Sequence, residues 1–109
     1  MPKPTVKQVR LAGPETEISI PFIQGMIDRM MVSYHKYGPV ADATHVNCPA
    51  TAWECLAAYH RDGNTEHLID AANYLMMEFM KNPDNFRPTD SDGSVGRVDD
   101  KGVISVRPN

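Results

Sequence analysis

The sequence has little aromatic content, no long apolar run and no cluster of basic residues. Among its 109 residues, 41% are apolar, 7% are aromatic, and the formal net charge is -3. A membrane helix needs roughly 20 consecutive apolar residues, and a duplex-binding protein normally carries a Lys/Arg stripe for the phosphates. Since neither feature is present, we expect neither a membrane nor duplex nucleic acid as a partner.

Cysteine is also scarce. Cys48 and Cys55 are seven positions apart, which on one helix is about 10 Å, too far for an undistorted disulfide. We therefore predict free thiols, as in a reducing compartment. The N-terminal stretch MPKPTVKQVRLAG contains no apolar segment that resembles a signal peptide. Together these absences predict a soluble, cytoplasmic protein.

The length and the helical patterns predict a single, mainly α domain. Pro21 suits a first helical turn, and apolar residues then recur at helical spacing until Gly38. A second helix is expected from about Pro49 to Asp62. A third, capped by Asn64 or Thr65, should follow at once, so that the last two helices pack as an antiparallel hairpin.

The predicted organisation has three parts. An irregular N-terminal arm occupies residues 1–19, the three-helix core residues 20–81, and a loop with a C-terminal β-hairpin residues 82–109. The hairpin is expected around the turn DDKG, with Gly102 in the left-handed conformation. Because the apolar content is lean, we expect the chain to bury more surface as a homodimer or homotetramer.

The third helix, in NTEHLIDAANYLMMEFM, is apolar over most of its circumference but carries polar residues along one side. His67, Asp70, Tyr74 and Glu78 form one stripe, and Asp70 also shares a stripe with Asn73. A partly buried Asp70 would need a cation, a hydrogen-bond donor or a metal. Three interpretations remain open: a solvent-facing stripe, a structural ion pair of Asp70 with Arg29 or Arg61, and a metal site.

The metal interpretation depends on the second helix. Glu54 precedes Asp70 by sixteen residues across a tight turn, so both carboxylates could face one interhelical groove. Paired carboxylates from facing helices hold divalent metals in helical bundles. Oxygen ligands favour Mg²⁺ or Mn²⁺, which would in turn bind a polyphosphate.

Several segments resemble a known family. The stretch HLIDAANYL resembles the second metal-binding helix of the all-α nucleoside triphosphate pyrophosphohydrolases of the MazG type. The stretches HKYG, TAWECLAAYH, RDGNTEHL and DAANYLM are similar to small phage proteins of the dATP/dGTP diphosphohydrolase-like group. The resemblance covers about residues 22–81. Thr51 and Glu54 stand where the family has two Glu residues, and His67 stands where it has Glu before Asp70.

The resemblance implies metal-dependent hydrolysis between the α and β phosphates of a nucleotide substrate. Glu54 and Asp70 would bind Mg²⁺ or Mn²⁺, and His67 or Glu78 would complete the site as a ligand or as the base that orients the water. The resemblance also implies that the substrate would contact Asn73, Lys36, Arg61 and Trp53.

Thr51 and His67 stand at positions where the family has Glu. The loss of these two carboxylates favours a second hypothesis. In it the chain is a non-enzymatic small helical phage protein that binds a host protein or a nucleotide, as a regulator or counter-defence factor. In either case the resemblance implies a phage-encoded protein that works in the cytoplasm of a bacterial host.

Overall fold

The computed structural model describes residues 17–89 and 97–105. Within these ranges the chain forms three α-helices, which are α1 (Ile20–Tyr37), α2 (Cys48–Asp62) and α3 (Glu66–Lys81). The predicted mainly α class is confirmed. The predicted N-terminal arm lies almost entirely outside the described residues. No helix in the described ranges is both long and apolar enough to span a membrane.

The ends of α1 are determined by local hydrogen bonds. The Ser19 hydroxyl accepts a hydrogen bond from the Phe22 N–H at 3.1 Å, which satisfies one of the free donors of the first turn. At the other end Gly38 has φ of 83° and donates its N–H to the Tyr34 carbonyl at 2.8 Å. Pro39 follows and cannot continue the helix.

The second helix is capped at both ends in the same way. Asn47 is the N-cap, and its side-chain oxygen accepts from the Ala50 N–H at 3.1 Å. Gly63 ends the helix in the left-handed conformation, with φ of 72°, which a glycine adopts at little cost. Only three residues then separate α2 from α3, so the two helices run antiparallel, as the sequence predicted.

Two side-chain contacts fix the register of this helical hairpin. Near the turn, His67 Nε2 lies 3.0 Å from the Asp62 carboxylate. At the opposite end, Lys81 Nζ donates to the Ala43 carbonyl at 2.9 Å and lies 3.6 Å from Cys48 Sγ. The N-terminus of α2 is therefore level with the C-terminus of α3.

The core between α2 and α3 is small. The buried apolar residues of the described ranges are Cys48, Ala52, Ala71 and Met77. All of α1 is described, and none of its residues is fully buried. It lies on α3, where Gly25 approaches Ile69 so closely that an added Cβ would be 2.7 Å from Ile69 Cδ1.

The third helix packs with its polar side inward. Asn73 is only 5% exposed, whereas Leu75 and Phe79 are 54% and 58% exposed. Part of the apolar circumference, namely Leu75, Phe79 and Met80, is therefore on the surface, because α1 contacts the side that carries Asp70 and Asn73. Trp53 of α2, which core packing would normally enclose, is 74% exposed.

Two short strands follow the helices. Arg97–Val98 (β1) pairs antiparallel with Ile104–Ser105 (β2), and Gly102 in the connecting turn has φ of 83°. Beyond these four residues the predicted C-terminal hairpin stays a prediction, since residues 90–96 and 106–109 lie outside the described residues.

Candidate functional site

Asn73 is the most deeply buried polar residue of α3. Its Nδ2 donates a hydrogen bond to the Met26 carbonyl of α1 at 3.1 Å. This bond fixes the orientation of the amide, because the opposite orientation would place two acceptors against each other. Oδ1 is then buried without a hydrogen-bond partner among the described residues, and an unsatisfied buried acceptor costs free energy.

Asp70 lies one turn before Asn73 and pairs with α1. Arg29 Nε donates to Asp70 Oδ1 at 2.9 Å, and Nη2 donates to Oδ2 at 3.1 Å. A third bond joins Arg29 Nη1 to Glu66 Oε1 at 3.0 Å. The Asp70 hydrogen bond is the largest cause that raises the pKa of Arg29 above its usual value. Of the three interpretations of Asp70, the structure shows the ion pair with Arg29.

Arg29, Asp70 and Asn73 belong to the wall of an open cavity of about 670 Å³. Its remaining walls come from the end of α1, the segment 38–46 and the first half of α2. The charged and polar side chains that matter for ligand binding are Arg29, Lys36, Asp42, His45, Thr51, Asp70 and Asn73, and the aromatic ones are Tyr37 and Tyr74. The cavity thus combines cationic, aromatic and amide groups in one place.

The cavity wall also lowers the ionisation of two of its groups. Burial raises the pKa of the Cys55 thiol, with a further contribution from the charge of Asp70. Burial is likewise the main cause that raises the pKa of Tyr74. Both groups are therefore neutral near pH 7. A neutral thiol is a poor nucleophile, so Cys55 acts here as a wall residue and a weak donor.

Three of the eight predicted site residues lie in the cavity wall, namely Lys36, Asp70 and Asn73. Glu54, Trp53 and Arg61 are exposed on α2 and lie outside this wall. His67 pairs with Asp62, and Glu78 accepts a hydrogen bond from Asn82 Nδ2 at 2.9 Å. The structure therefore does not bring the two predicted catalytic residues to the cavity.

The predicted Mg²⁺ or Mn²⁺ site has no further support from the geometry. No group of three or more His, Cys, Asp or Glu side chains suited to a metal ion occurs in the described ranges. Both Asp70 oxygens accept from Arg29, so a metal at this carboxylate would compete with a guanidinium. Binding of Glu54 and Asp70 to one metal stays a prediction.

Sequence reasoning missed the role of the segment 38–46, which contributes His45 and Asp42 to the cavity. It also missed that Tyr74 lines the wall. The spacing of Arg29 and Lys36 in the sequence could have predicted the cationic side of the cavity. Seven residues apart, they lie on one face of α1 about 10 Å from each other along the axis.

No protein family, curated protein or solved structure that was compared with the chain matches it. The resemblance to the MazG-type pyrophosphohydrolases therefore stays a prediction.

Proposed function

We propose that this protein binds a nucleotide, or a similar small molecule that carries a phosphate, in the cavity between its three helices. The observation that supports this proposal is one wall that joins two cations of α1 to the buried amide of Asn73. A volume of about 670 Å³ falls within the roughly 300–1,000 Å³ of small-molecule sites.

The cationic side suits a phosphate. Arg29 uses two of its five N–H groups on Asp70, and its Nη1 forms an ion pair with Glu66. The remaining N–H groups can donate to a ligand. Lys36 adds a mobile ammonium two turns further along α1. Arginine binds phosphate through paired N–H groups, and lysine binds it as a point charge.

Other residues of the same wall suit a planar, partly polar group. Tyr37 and Tyr74 offer ring surfaces, and Met30 and Met77 offer adaptable apolar contacts. Asn73 Oδ1 is an acceptor without a partner. A base that donates an N–H toward it, after a small opening of the wall, would satisfy this atom. A base and a phosphate bound together by these groups describe a nucleotide.

Hydrolysis is a separate proposal that rests on the sequence resemblance. Its metal ligands would be Glu54 and Asp70, with Mg²⁺ or Mn²⁺ to neutralise the phosphate charge. The charges of Arg29 and Lys36 in the wall are balanced by those of Asp42 and Asp70, so the proposed binding without a metal rests on the directed donors of the two cations and not on net positive charge. The proposed location in the cytoplasm of a phage-infected host and the proposed homo-oligomer also rest on the sequence.

Calorimetry on the full chain tests the proposed binding. ATP, dATP, GTP, adenosine and inorganic phosphate are titrated in the presence of EDTA, and again with Mg²⁺. We expect the nucleotides to bind more tightly than either adenosine or phosphate, because only they offer a base and a phosphate together. Release of pyrophosphate, measured in the Mg²⁺ samples, separates hydrolysis from binding.

Two charge-removing variants locate the site. Lys36→Gln removes a cation of the cavity wall, whereas Arg61→Gln removes an exposed cation outside it. A lost charge-assisted hydrogen bond of about 1.5–3 kcal/mol corresponds to a Kd at least about tenfold weaker. We expect this change for Lys36→Gln and almost none for Arg61→Gln. Equal effects of the two variants, or no binding at millimolar ligand, would overturn the proposal.

A further inference from the structure

The apolar residues of α3 are divided between a buried side and an exposed side. Asn73 and Met77 are buried, and they lie about 200° around the helix from Leu75 and Phe79 respectively. Leu75 and Phe79 are more than half exposed. An amphipathic helix normally turns its apolar side to the core, so this apolar side needs a further surface to cover it.

The second helix extends the same apolar side. Thr51 and Cys55 line the cavity, and they lie on one flank of the buried Ala52. At about 100° per residue, Leu56 and Trp53 lie on the opposite flank, and both are exposed.

The register of the hairpin brings the two flanks together. The contacts of Asp62 with His67 and of Lys81 with Cys48 place residues 53–56 level with residues 73–76. The two helices thus form one continuous surface, which we call the outer face. Its members are Trp53, Leu56, Leu68, Ala72, Leu75 and Phe79.

We infer that the outer face binds the outer face of a second copy of this chain, so that two helical hairpins close a four-helix bundle. The face is apolar except for His60, which is exposed and lies four residues after Leu56, so it offers little to select a charged partner. A two-fold axis brings identical surfaces together. The helices α2 and α3 have 15 and 16 residues. Equal lengths allow two hairpins to cover one another along their whole length.

The exposed area agrees with a dimer. Four large side chains of the outer face are between 41% and 74% exposed, which at roughly 200 Å² per whole side chain gives on the order of 450 Å². A standard interface buries about 800 Å² per partner, of which roughly 55–65% is apolar. The outer face therefore offers the apolar area that one protomer of a stable dimer contributes.

The small core provides a reason for association. The buried apolar residues of the described ranges include two alanines and one cysteine, and such short side chains contribute little transfer free energy. A dimer would bury the larger side chains that a single chain leaves in water. The outer face lies across α3 from the cavity, so the inference does not rest on ligand binding.

Sedimentation equilibrium on the full chain, from micromolar to millimolar concentration, tests the inference. We expect a mass twice the 12.2 kDa of one chain, with dissociation on dilution. Phe79→Glu places a charge in the outer face, and Phe86→Glu places the same charge on an exposed Phe that lies outside it. Phe79→Glu should weaken the dimer Kd at least about tenfold, and Phe86→Glu should leave it unchanged.

A milder variant covers the case in which Phe79→Glu disturbs the helix. Leu75→Ala keeps a strong helix former in α3 and should also weaken the dimer, while its far-UV circular dichroism stays that of the wild type. A wild-type chain that is monomeric at all concentrations overturns the inference. So does a dimer that Phe79→Glu and Leu75→Ala leave intact, or that Phe86→Glu dissociates equally.

Discussion

Arg29 of α1 and Asp70 of α3 form a two-bond ion pair, with Nε 2.9 Å from Oδ1 and Nη2 3.1 Å from Oδ2. The pair explains why an otherwise apolar helix carries a carboxylate in its middle. The Asp70 side chain is 24% exposed, and a carboxylate that loses much of its water is stabilised when a cation replaces it. Asp70 and Asn73 are therefore polar residues through which α3 contacts α1.

The first prediction concerns this ion pair. Arg29→Met keeps the length of the side chain but leaves Asp70 without its partner. Since the Arg29 side chain is 46% exposed, solvent screening limits the loss in the free energy of unfolding to about 1 kcal/mol. Urea denaturation at low and high salt measures it, and the difference from the wild type should shrink at high salt.

Glu66→Gln is the matched control, because it removes the weaker arm of the same Arg29 cluster. Both partners of that arm are about half exposed, so we expect a loss below about 0.5 kcal/mol. If Glu66→Gln destabilises the protein as much as Arg29→Met does, the pair with Asp70 is not the main contact between α1 and α3.

The helix ends could be predicted from the sequence because their causes are local. Pro21, Gly38 and the Asp62-Gly63 pair determine where the chain can begin or leave a helix. Periodicity also predicted that α3 is apolar over most of its circumference. It could not decide which side of α3 faces inward, since this depends on whether α1 or a second chain covers a given side.

The candidate site could be predicted only in part, for the same reason. The polar stripes of the third helix predict Asp70 and Asn73, the family resemblance implies Lys36, and all three line the cavity. The sequence leaves Arg29 and Arg61 as two possible partners of Asp70. Only the tertiary packing shows that Arg29 is the partner. The segment 38–46 has no periodic pattern, so nothing in the sequence placed His45 beside these helices.

The second prediction concerns the close approach of α1 and α3. Gly25→Ala favours the helix by about 1 kcal/mol, but its Cβ would lie 2.7 Å from Ile69 Cδ1. Ile69→Val removes that methyl group. We therefore expect Gly25→Ala to be more favourable in the Ile69→Val background than in the wild type, by about 0.5 kcal/mol or more. Thermal unfolding of the four proteins measures this coupling, and simple additivity would contradict it.

The third prediction concerns the helix caps. Asn47 accepts the Ala50 N–H, whereas Thr65, the N-cap of α3, forms no side-chain capping bond. Asn47→Ala should therefore reduce the free energy of unfolding by about 1 kcal/mol, and Thr65→Ala by much less. Urea denaturation of both variants gives the comparison. An equal loss would show that the Asn47 side chain does not cap α2 in solution.

The fourth prediction concerns acid stability at the α2–α3 turn. The Asn64 N–H, which donates to Asp62 Oδ1 at 2.8 Å, is the largest cause that lowers the pKa of the Asp62 carboxyl, and the His67 ring is the next. A folded-state pKa below the unfolded value of about 3.9 means that ionised Asp62 stabilises the fold above that pH. This contribution is lost as the pH falls through the folded-state pKa.

Asp62→Asn removes the titrating group while keeping the size of the side chain. We expect the wild type to be more stable than this variant near pH 6, and the difference to vanish once both states of the wild type are protonated. Urea midpoints measured across the acid range show this as converging curves. Parallel curves for the wild type and Asp62→Asn would mean that Asp62 ionises equally in the folded and unfolded chain.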